Sequence, residues 1–508
     1  MSLPPLRRIV IAGGGTAGWM SAAALSRLLP GAYEIHLVES EEIGTIGVGE
    51  ATIPNIKNFN AALGIDEDDF IRATQGTFKL GIEFVNWGAI GERYIHGFGK
   101  FGQDFGSVSF HQQWLRLRRA GLAAELGEYS INTMAPLQAK FMRARPEMVG
   151  SPLADIASAY QFDASLYAKY LRQYAEQRDV RRSEGRIVEV QQAVADGRIQ
   201  ALRLDSGVLI EGDFFLDCTG MHALLMAKTL GVGFEDWSHW LPCDRAIAVP
   251  CESAGPLLPI TRATAHSAGW QWRIPLQHRT GNGHVFASRF MDEAEAKAVL
   301  MRHLDGKPLA EPRVIKFQPG RLNKAWQQNC VAVGLAAGFL EPLESTSIHL
   351  IQTALARLIS FFPHGGLGAA DIDEYNRQTQ FELERIRDFI ILHYKATARD
   401  DSAFWNHCRQ MEVPETLQRK MDLYRSNGRI FREGEELFAE VSWLQVMNGQ
   451  GLRPQGYHPL AEETPLAEAQ ELLDHIKQVI TRCVQVMPTQ ADFIAEHCQA
   501  ASMEKQAC

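Results

Sequence analysis

The feature that most constrains this chain is a glycine-rich turn set between a strand and a helix near its N-terminus. Arg8-Ile9-Val10-Ile11-Ala12 is a short apolar run of the kind buried on both faces of a parallel sheet. Gly13-Gly14-Gly15-Thr16-Ala17-Gly18 follows it, and Trp19 to Leu29 reads as a helix that Pro30-Gly31 stops. Glu34 to Val38 is then a second strand ending at Glu39, which makes the segment a βαβ unit. In Gly13-x-Gly15-x-x-Gly18 the first glycine makes the tight turn and the second lets backbone approach a pyrophosphate. The third allows close packing of helix on sheet, and the helix N-terminus favours an anion. Glu39 lies 21 residues after Gly18, where a carboxylate can hold a ribose hydroxyl. A dinucleotide site is predicted here. The pattern by itself does not choose between a flavin and a nicotinamide dinucleotide.

Two later segments repeat the strand-then-glycine arrangement. Phe214-Phe215-Leu216-Asp217-Cys218-Thr219-Gly220 is apolar and turns into a helical stretch near Met221. Cys330-Val331-Ala332-Val333-Gly334 leads through Leu335 to Leu340 into a helix over about Ser345 to Phe362. Far apart in sequence, the three pieces look like strands of one sheet, with the intervening segments as excursions into a second region. Gln271 to Pro275 and His284 to Phe290 suggest a second sheet there. After about Asp400 the pattern is mostly helical, with Leu417 to Tyr424 and Pro465 to Val486 the clearer amphipathic stretches.

A chain of 508 residues, 46% hydrophobic and 22% charged, can bury a large core. Its formal charge of −9 argues against a nucleic-acid or anionic-membrane partner, which needs a basic face. No apolar run approaches the roughly 20 residues that span a bilayer. Eight cysteines without a CxxC pair read as reduced thiols of a cytoplasmic protein. Sixteen histidines form no zinc pattern, and no GxSxG elbow occurs, so no metal is expected. Cys218 reads as a buried apolar filler.

Glycines directly after the second strand, in Gly44-Thr45-Ile46-Gly47-Val48-Gly49-Glu50-Ala51-Thr52-Ile53-Pro54, let backbone pass close to a bulky ligand. The late Gly334-Leu335-Ala336-Ala337-Gly338 turn suits a long cofactor held at its far end, which favours FAD; ordinary surface loops are the plain alternative. These stretches occur in order with Gly269-Trp270-Gln271-Trp272-Arg273-Ile274-Pro275 and Glu341-Pro342-Leu343-Glu344-Ser345-Thr346. The set resembles the flavin-dependent halogenases of the tryptophan halogenase family, over nearly the whole chain. WxWxIP beside GxGxxG is the specific part.

The resemblance implies an α/β fold with a GxGxxG βαβ, flavin monooxygenase-like core that binds FAD. An interwoven second β-sheet substrate region and a mainly helical C-terminal region complete it. The core spans 1–400 discontinuously (about 1–80, 155–235 and 315–400), with substrate-side segments at about 81–154 and 236–314. Residues 401–508 complete the substrate pocket. Reduced FAD reacts with oxygen to a flavin hydroperoxide, chloride or bromide attacks it, and hypohalous acid crosses a tunnel to an electron-rich aromatic. A separate NAD(P)H-dependent flavin reductase supplies FADH2, because the chain has one convincing dinucleotide fingerprint. A homodimer is left open. The cofactor-binding set is Gly13, Gly15, Thr16, Ala17, Gly18, Glu39, Gly49, Ala51, Ile187, Leu335 and Ile348.

The family's catalytic lysine matches Lys79, in Gln75-Gly76-Thr77-Phe78-Lys79-Leu80-Gly81. An ammonium can polarise hypohalous acid by hydrogen bonding, or form a haloamine if burial lowers its pKa. The bland alternative is a solvated strand-edge lysine. The second catalytic residue matches Glu344, whose carboxylate can take the ring proton or orient the electrophile. Alternatively Glu341 and Glu344 only favour the following helix through its dipole. Thr346 and Ser347 match the halide-binding turn, with serine where the family usually has glycine; plain capping by Ser345 or Thr346 is the other reading. Trp270 and Trp272 alternate on a strand, face one side, and are expected as wall rather than chemistry. His96 and Phe98 resemble residues lining the aromatic pocket, although a loop histidine satisfied by its surroundings explains His96 equally. Trp443 is a further pocket candidate. The tyrosine-rich lid of tryptophan-specific members is not recognisable in WLQVMNGQG at 443–451, so indole or another electron-rich aromatic stands beside free tryptophan. Two other functions fit the dinucleotide turn: a single-component flavin hydroxylase of aromatics, and a flavin-binding protein without turnover.

Overall fold

The computed structural model describes residues 6–40, 49–363 and 366–501. The chain divides into two compact units, each built from three separate segments. The first unit takes Met1–Gly76, Phe162–Leu241 and Lys316–Glu384; the second takes Thr77–Gln161, Pro242–Ile315 and Arg385–Cys508. The second unit therefore gathers the chain from Arg385 onward, where the sequence suggested a change near 401.

In the first unit a six-stranded sheet runs in the order Trp326–Gln327, Cys330–Ala332, Phe214–Asp217, Arg8–Ala12, Glu34–Glu39, Arg181–Glu184. The three glycine-ended strands are neighbours in parallel register, Ile11 opposite Leu216 and Leu216 opposite Val331. Arg8–Ala12 is central and paired on both edges, and its residues from Ile9 to Ala12 are fully buried, which explains the unbroken apolar run. The helix Thr16–Leu28 is buried from Gly18 to Leu25, so small residues rather than an amphipathic stripe fill it.

The helix expected near Met221 is replaced by a short 3-10 turn, Gly220–His222, and a π-helical turn, Leu224–Thr229. The cause is Asp217. Its buried carboxylate accepts from the backbone N–H groups of Thr219, Leu225 and Met226 and from the Thr219 hydroxyl, at 2.6–3.1 Å. A side chain thus takes the place of the backbone acceptors of a regular first turn.

The second unit holds a mainly antiparallel sheet that contains, in order, Arg245–Cys251, Thr280–Phe286, Gly269–Pro275, Thr261–His266, Gly81–Val85 and Arg93–Gly97. Thr261–His266 pairs parallel with Gly81–Val85. The strand expected at 284–290 ends at Phe286, because Ala287 turns to the Ala268 carbonyl and Asp244 takes the Ser288 backbone N–H. The helices Ala403–Gln410, Glu415–Asn427, Glu440–Gly449, Leu466–Val486 and Gln490–His497 follow. Among the described residues no helix is long and apolar enough to cross a membrane, and no cluster suited to a metal ion occurs. The seven described cysteines are free thiols, and burial pushes Cys218 up to about 12, which makes it inert as a nucleophile.

Candidate active site

The first unit contributes a phosphate cradle. Gly13 adopts φ 109°, and its N–H donates to the Val38 carbonyl at 2.8 Å. A Cβ there would lie 2.3 Å from the Cys218 carbonyl oxygen, and one at Gly18 would lie 1.8 Å from the Gly13 oxygen. Those two glycines are demanded by packing. Gly15 differs, since a Cβ built on it meets nothing within 4 Å among the described residues. It is the N-cap of Thr16–Leu28, a helix start with no side-chain cap and no acidic residue in its first turn. Open space above uncapped backbone donors fits the pyrophosphate of FAD. Thr16 and Ala17 are half-buried in the same turn.

Glu39 lies against Gly14. One carboxylate oxygen accepts from the Trp19 indole N–H at 3.2 Å and the other from Arg182 Nε at 2.5 Å. Arg182 was not visible as a partner in the sequence, because only the pairing of Glu34–Glu39 with Arg181–Glu184 brings it there. Gly44 to Val48 lie outside the described residues; Gly49 and Ala51 are buried in the short strand Gly49–Ala51. Ile187 packs against the core cluster of Val10, Val38 and Phe215. Gly334 has φ 67°, and a Cβ on it would stand 3.0 Å from the Ala17 Cβ and 3.1 Å from Ile351 Cγ1. The late turn, with half-buried Leu335, thus adjoins the helix of the dinucleotide turn.

The same unit carries an anion turn. Pro342–Glu344 forms a 3-10 turn, Ser345 takes φ 59°, and Thr346 is the N-cap of the helix Ser347–Ser360. Glu344 and Thr346 are each 1% exposed, Ile348 is buried and Ser347 is half-buried. Thr346 does not cap this helix with its side chain, and its buried Oγ1 has no hydrogen-bond partner among the described residues. Free backbone donors and one orphaned hydroxyl suit a small anion.

Behind the turn lies a buried charge group that the sequence did not suggest. His349 Nε2 stands 3.3 Å from Glu382 Oε1, while Arg357 Nη2 and the Thr353 hydroxyl donate to Glu382 Oε2 at 3.0 Å each. Burial opposes charge on Glu382, but hydrogen bonds and charge from His349 and Arg357 overcome it and hold the carboxyl below its usual range. Glu382 lies 29 residues beyond Thr353 on the next helix, so no local pattern announces the group.

The second unit carries Lys79. It ends the strand Thr77–Lys79, opposite Ala159, with 0% exposure. The solvated strand-edge alternative is thereby removed. Its Nζ sits 5.2 Å from the Phe98 ring centroid. The strand is fixed on both sides: the Thr77 hydroxyl donates to the Pro275 carbonyl at 2.7 Å, and Phe78 stacks on Phe141 at 4.1 Å. Trp270 is buried and Trp272 half-buried on Gly269–Pro275, with ring centroids 6.2 Å apart. Trp272 lies over Gly283, where a Cβ would stand 2.0 Å from its ring.

His96, on Arg93–Gly97, joins a buried aromatic cluster. It lies 5.7 Å from Phe389 and 6.4 Å from Phe438, whose rings stack on each other at 3.8 Å. Trp443 meets Phe389 edge-on at 4.9 Å. Gln445, two residues on, exchanges two hydrogen bonds with the Gly97 backbone (2.7 and 3.0 Å) and so fixes the Trp443 helix on the His96 strand. Phe389 and Phe438 were missed by sequence reasoning, since 49 positions separate them and nothing local pairs them. An ionisable group adjoins Trp443. Lys420 lies 4.9 Å over its ring and pairs with Glu436 at 2.8 Å.

A mostly parallel sheet with a glycine-rich phosphate cradle in one unit, and a buried lysine near Phe98 with a separate aromatic cluster in the other, suit an enzyme that binds a dinucleotide cofactor. The tryptophan halogenase family model matches residues 8–466, and the chain belongs to that family. It is similar to Tryptophan 7-halogenase RebH of Lentzea aerocolonigenes, 33% identical over 96% of this chain and 98% of that one. Among solved structures it resembles Xcc4156, a flavin-dependent halogenase from Xanthomonas campestris, at 49% identity and TM-score 0.95, covering 99% and 100% of the two chains. BrvH, a flavin-dependent halogenase from Brevundimonas sp. BAL3, is similar at 47% and 0.93, covering 97% and 99%. The protein is an FAD-dependent halogenase.

Proposed function

We propose that this enzyme halogenates a neutral, electron-rich indole ring, taking reduced flavin from a separate NAD(P)H-dependent reductase in the cytoplasm. Bound reduced FAD, with oxygen, supplies the oxidising equivalent that turns halide into hypohalous acid. The backbone donors at Gly15–Ala17 hold its pyrophosphate, Glu39 takes a ribose hydroxyl, and Gly49, Ala51, Leu335 and Ile348 line its path. Thr346 and Ser347 hold the halide. The Lys79 ammonium hydrogen-bonds the oxygen of hypohalous acid and polarises the halogen toward the ring. The Glu344 carboxylate takes the proton that leaves the halogenated carbon. Trp270 and Trp272 act as walls, and His96, Phe98 and Trp443, with Phe389 and Phe438, receive the substrate ring.

The observation that carries the choice of a neutral ring is at Trp443. The charge over its ring, Lys420, is already paired with Glu436, so it is not offered to an amino acid's carboxylate. Free tryptophan is the second reading, favoured by the names of the curated relatives. Equimolar indole and tryptophan in one reaction with bromide decide between them. Brominated indole should dominate, and preferential bromination of tryptophan on its benzo ring would reverse the proposal.

A further inference from the structure

The first turn of Ser347–Ser360 contains no acidic residue; instead it carries His349, three residues after the N-cap Thr346 and so on the same side of the helix. A base is the unfavourable choice for that position, because the helix dipole is positive there. Its presence needs another reason. His349 is 5% exposed, its Nε2 faces Glu382, and its Nδ1 has no hydrogen-bond partner among the described residues. Glu382 is already balanced by Arg357. A protonated His349 thus gives the group it forms with Glu382 and Arg357 one net positive charge, which favours an anion at the adjoining turn. The other helices packed against Ser347–Ser360 add no competing acid. Thr16–Leu28 has Arg27 as its one ionisable residue, and Ile56–Leu63 has Lys57, which pairs with Glu67 at 3.2 Å. Before the turn stand two further buried carboxylates, Glu341 and Glu344, at 0% and 1% exposure.

We infer that His349 is a positioning residue for halide, coupling anion binding at the Thr346–Ser347 turn to its own protonation. The inference rests on that turn being the halide site. Halide held there favours the imidazolium, and by linkage protonation favours halide to the same extent. Halide affinity should then fall as pH rises. His349→Gln keeps a donor toward Glu382 but cannot carry charge. It should weaken halide about three- to thirtyfold at low pH and remove the pH dependence, since a charge at a helix terminus contributes on that scale.

The test is the chloride-35 NMR line width of the full-length, FAD-loaded oxidised enzyme, with bromide as competitor, from pH 5.5 to 8.5. This readout needs no turnover. Wild type should show excess broadening that bromide displaces and that shrinks as pH rises, His349→Gln a weak and flat response, and Thr346→Val almost none. The bromide KM should rise in His349→Gln with kcat at saturating bromide changed less than threefold. Bromide-displaceable broadening that is lost in Thr346→Val but independent of pH in wild type overturns the role of His349 alone. Broadening that Thr346→Val leaves intact overturns the halide turn itself. His349→Asn replaces His349→Gln if the latter does not fold, and the wild-type pH profile decides in either case.

Discussion

Replacing Gly15 by alanine separates the fold from its cofactor. The added Cβ meets no atom of the described residues within 4 Å, and the backbone at φ −74°, ψ −170° accepts an alanine. Two small effects oppose each other on the protein side. Restricting the unfolded chain stabilises by about 0.4–1 kcal/mol, and alanine is a poorer N-cap than glycine by a similar amount. Stability without FAD should therefore change by less than about 1 kcal/mol. The methyl instead occupies the space over the helix N-terminus. If it costs the pyrophosphate one charge-assisted hydrogen bond, about 1.5–3 kcal/mol, FAD affinity falls roughly 10- to 150-fold. FAD titration followed by intrinsic fluorescence, beside thermal unfolding of the cofactor-free protein, measures both quantities. Gly18→Ala is the contrast, since its Cβ would stand 1.8 Å from the Gly13 oxygen and should destabilise the protein without FAD. Wild-type FAD affinity in Gly15→Ala would refute the placement of the pyrophosphate.

Lys79→Ala should abolish halogenated product, a loss of at least about a hundredfold, while FAD affinity and oxygen consumption by the reduced flavin stay within a factor of two. Glu344→Gln, which keeps shape and removes charge, should lower kcat by about ten- to a thousandfold with a nearly unchanged substrate KM, read from initial rates. In the second unit His266 and His284 are held down to about 3 and about 4, first by burial and for His266 also by repulsion from its neighbour. Because their folded values lie below the ordinary one near 6.5, the stability they lend is complete above that pH. It is lost as pH falls toward 4, by about 2 kcal/mol per histidine at pH 5. Urea midpoints at pH 7 and pH 5 should differ accordingly, and the difference should shrink in the His266→Gln/His284→Gln double variant.

What the sequence made legible was what local pattern encodes. The βαβ unit and the adjacency of the three glycine-ended strands follow from apolar runs interrupted by glycine, whereas the sequence left a solvated strand edge open for Lys79. The uncapped start at Thr346 did not follow from residue types, since serine and threonine at a helix start are ordinary caps. What stayed hidden depends on partners distant in sequence. The π-helical turn after Phe214–Asp217 comes from one buried carboxylate that a propensity reading takes for an ordinary strand end. The contact of Glu39 with Arg182 crosses 143 positions, and the stacking of Phe389 on Phe438 depends on how a long helix meets an irregular segment. The end of the Thr280–Phe286 strand is set by Asp244, a side chain from another strand connection.

The most direct measurement combines the purified enzyme with FAD, a flavin reductase, NADH, oxygen, bromide and indole, and weighs the products. The account predicts a monobrominated indole that requires both flavin and reductase and disappears in Lys79→Ala. An indole gaining oxygen rather than bromine, or bromination persisting at full rate in Lys79→Ala, would contradict it.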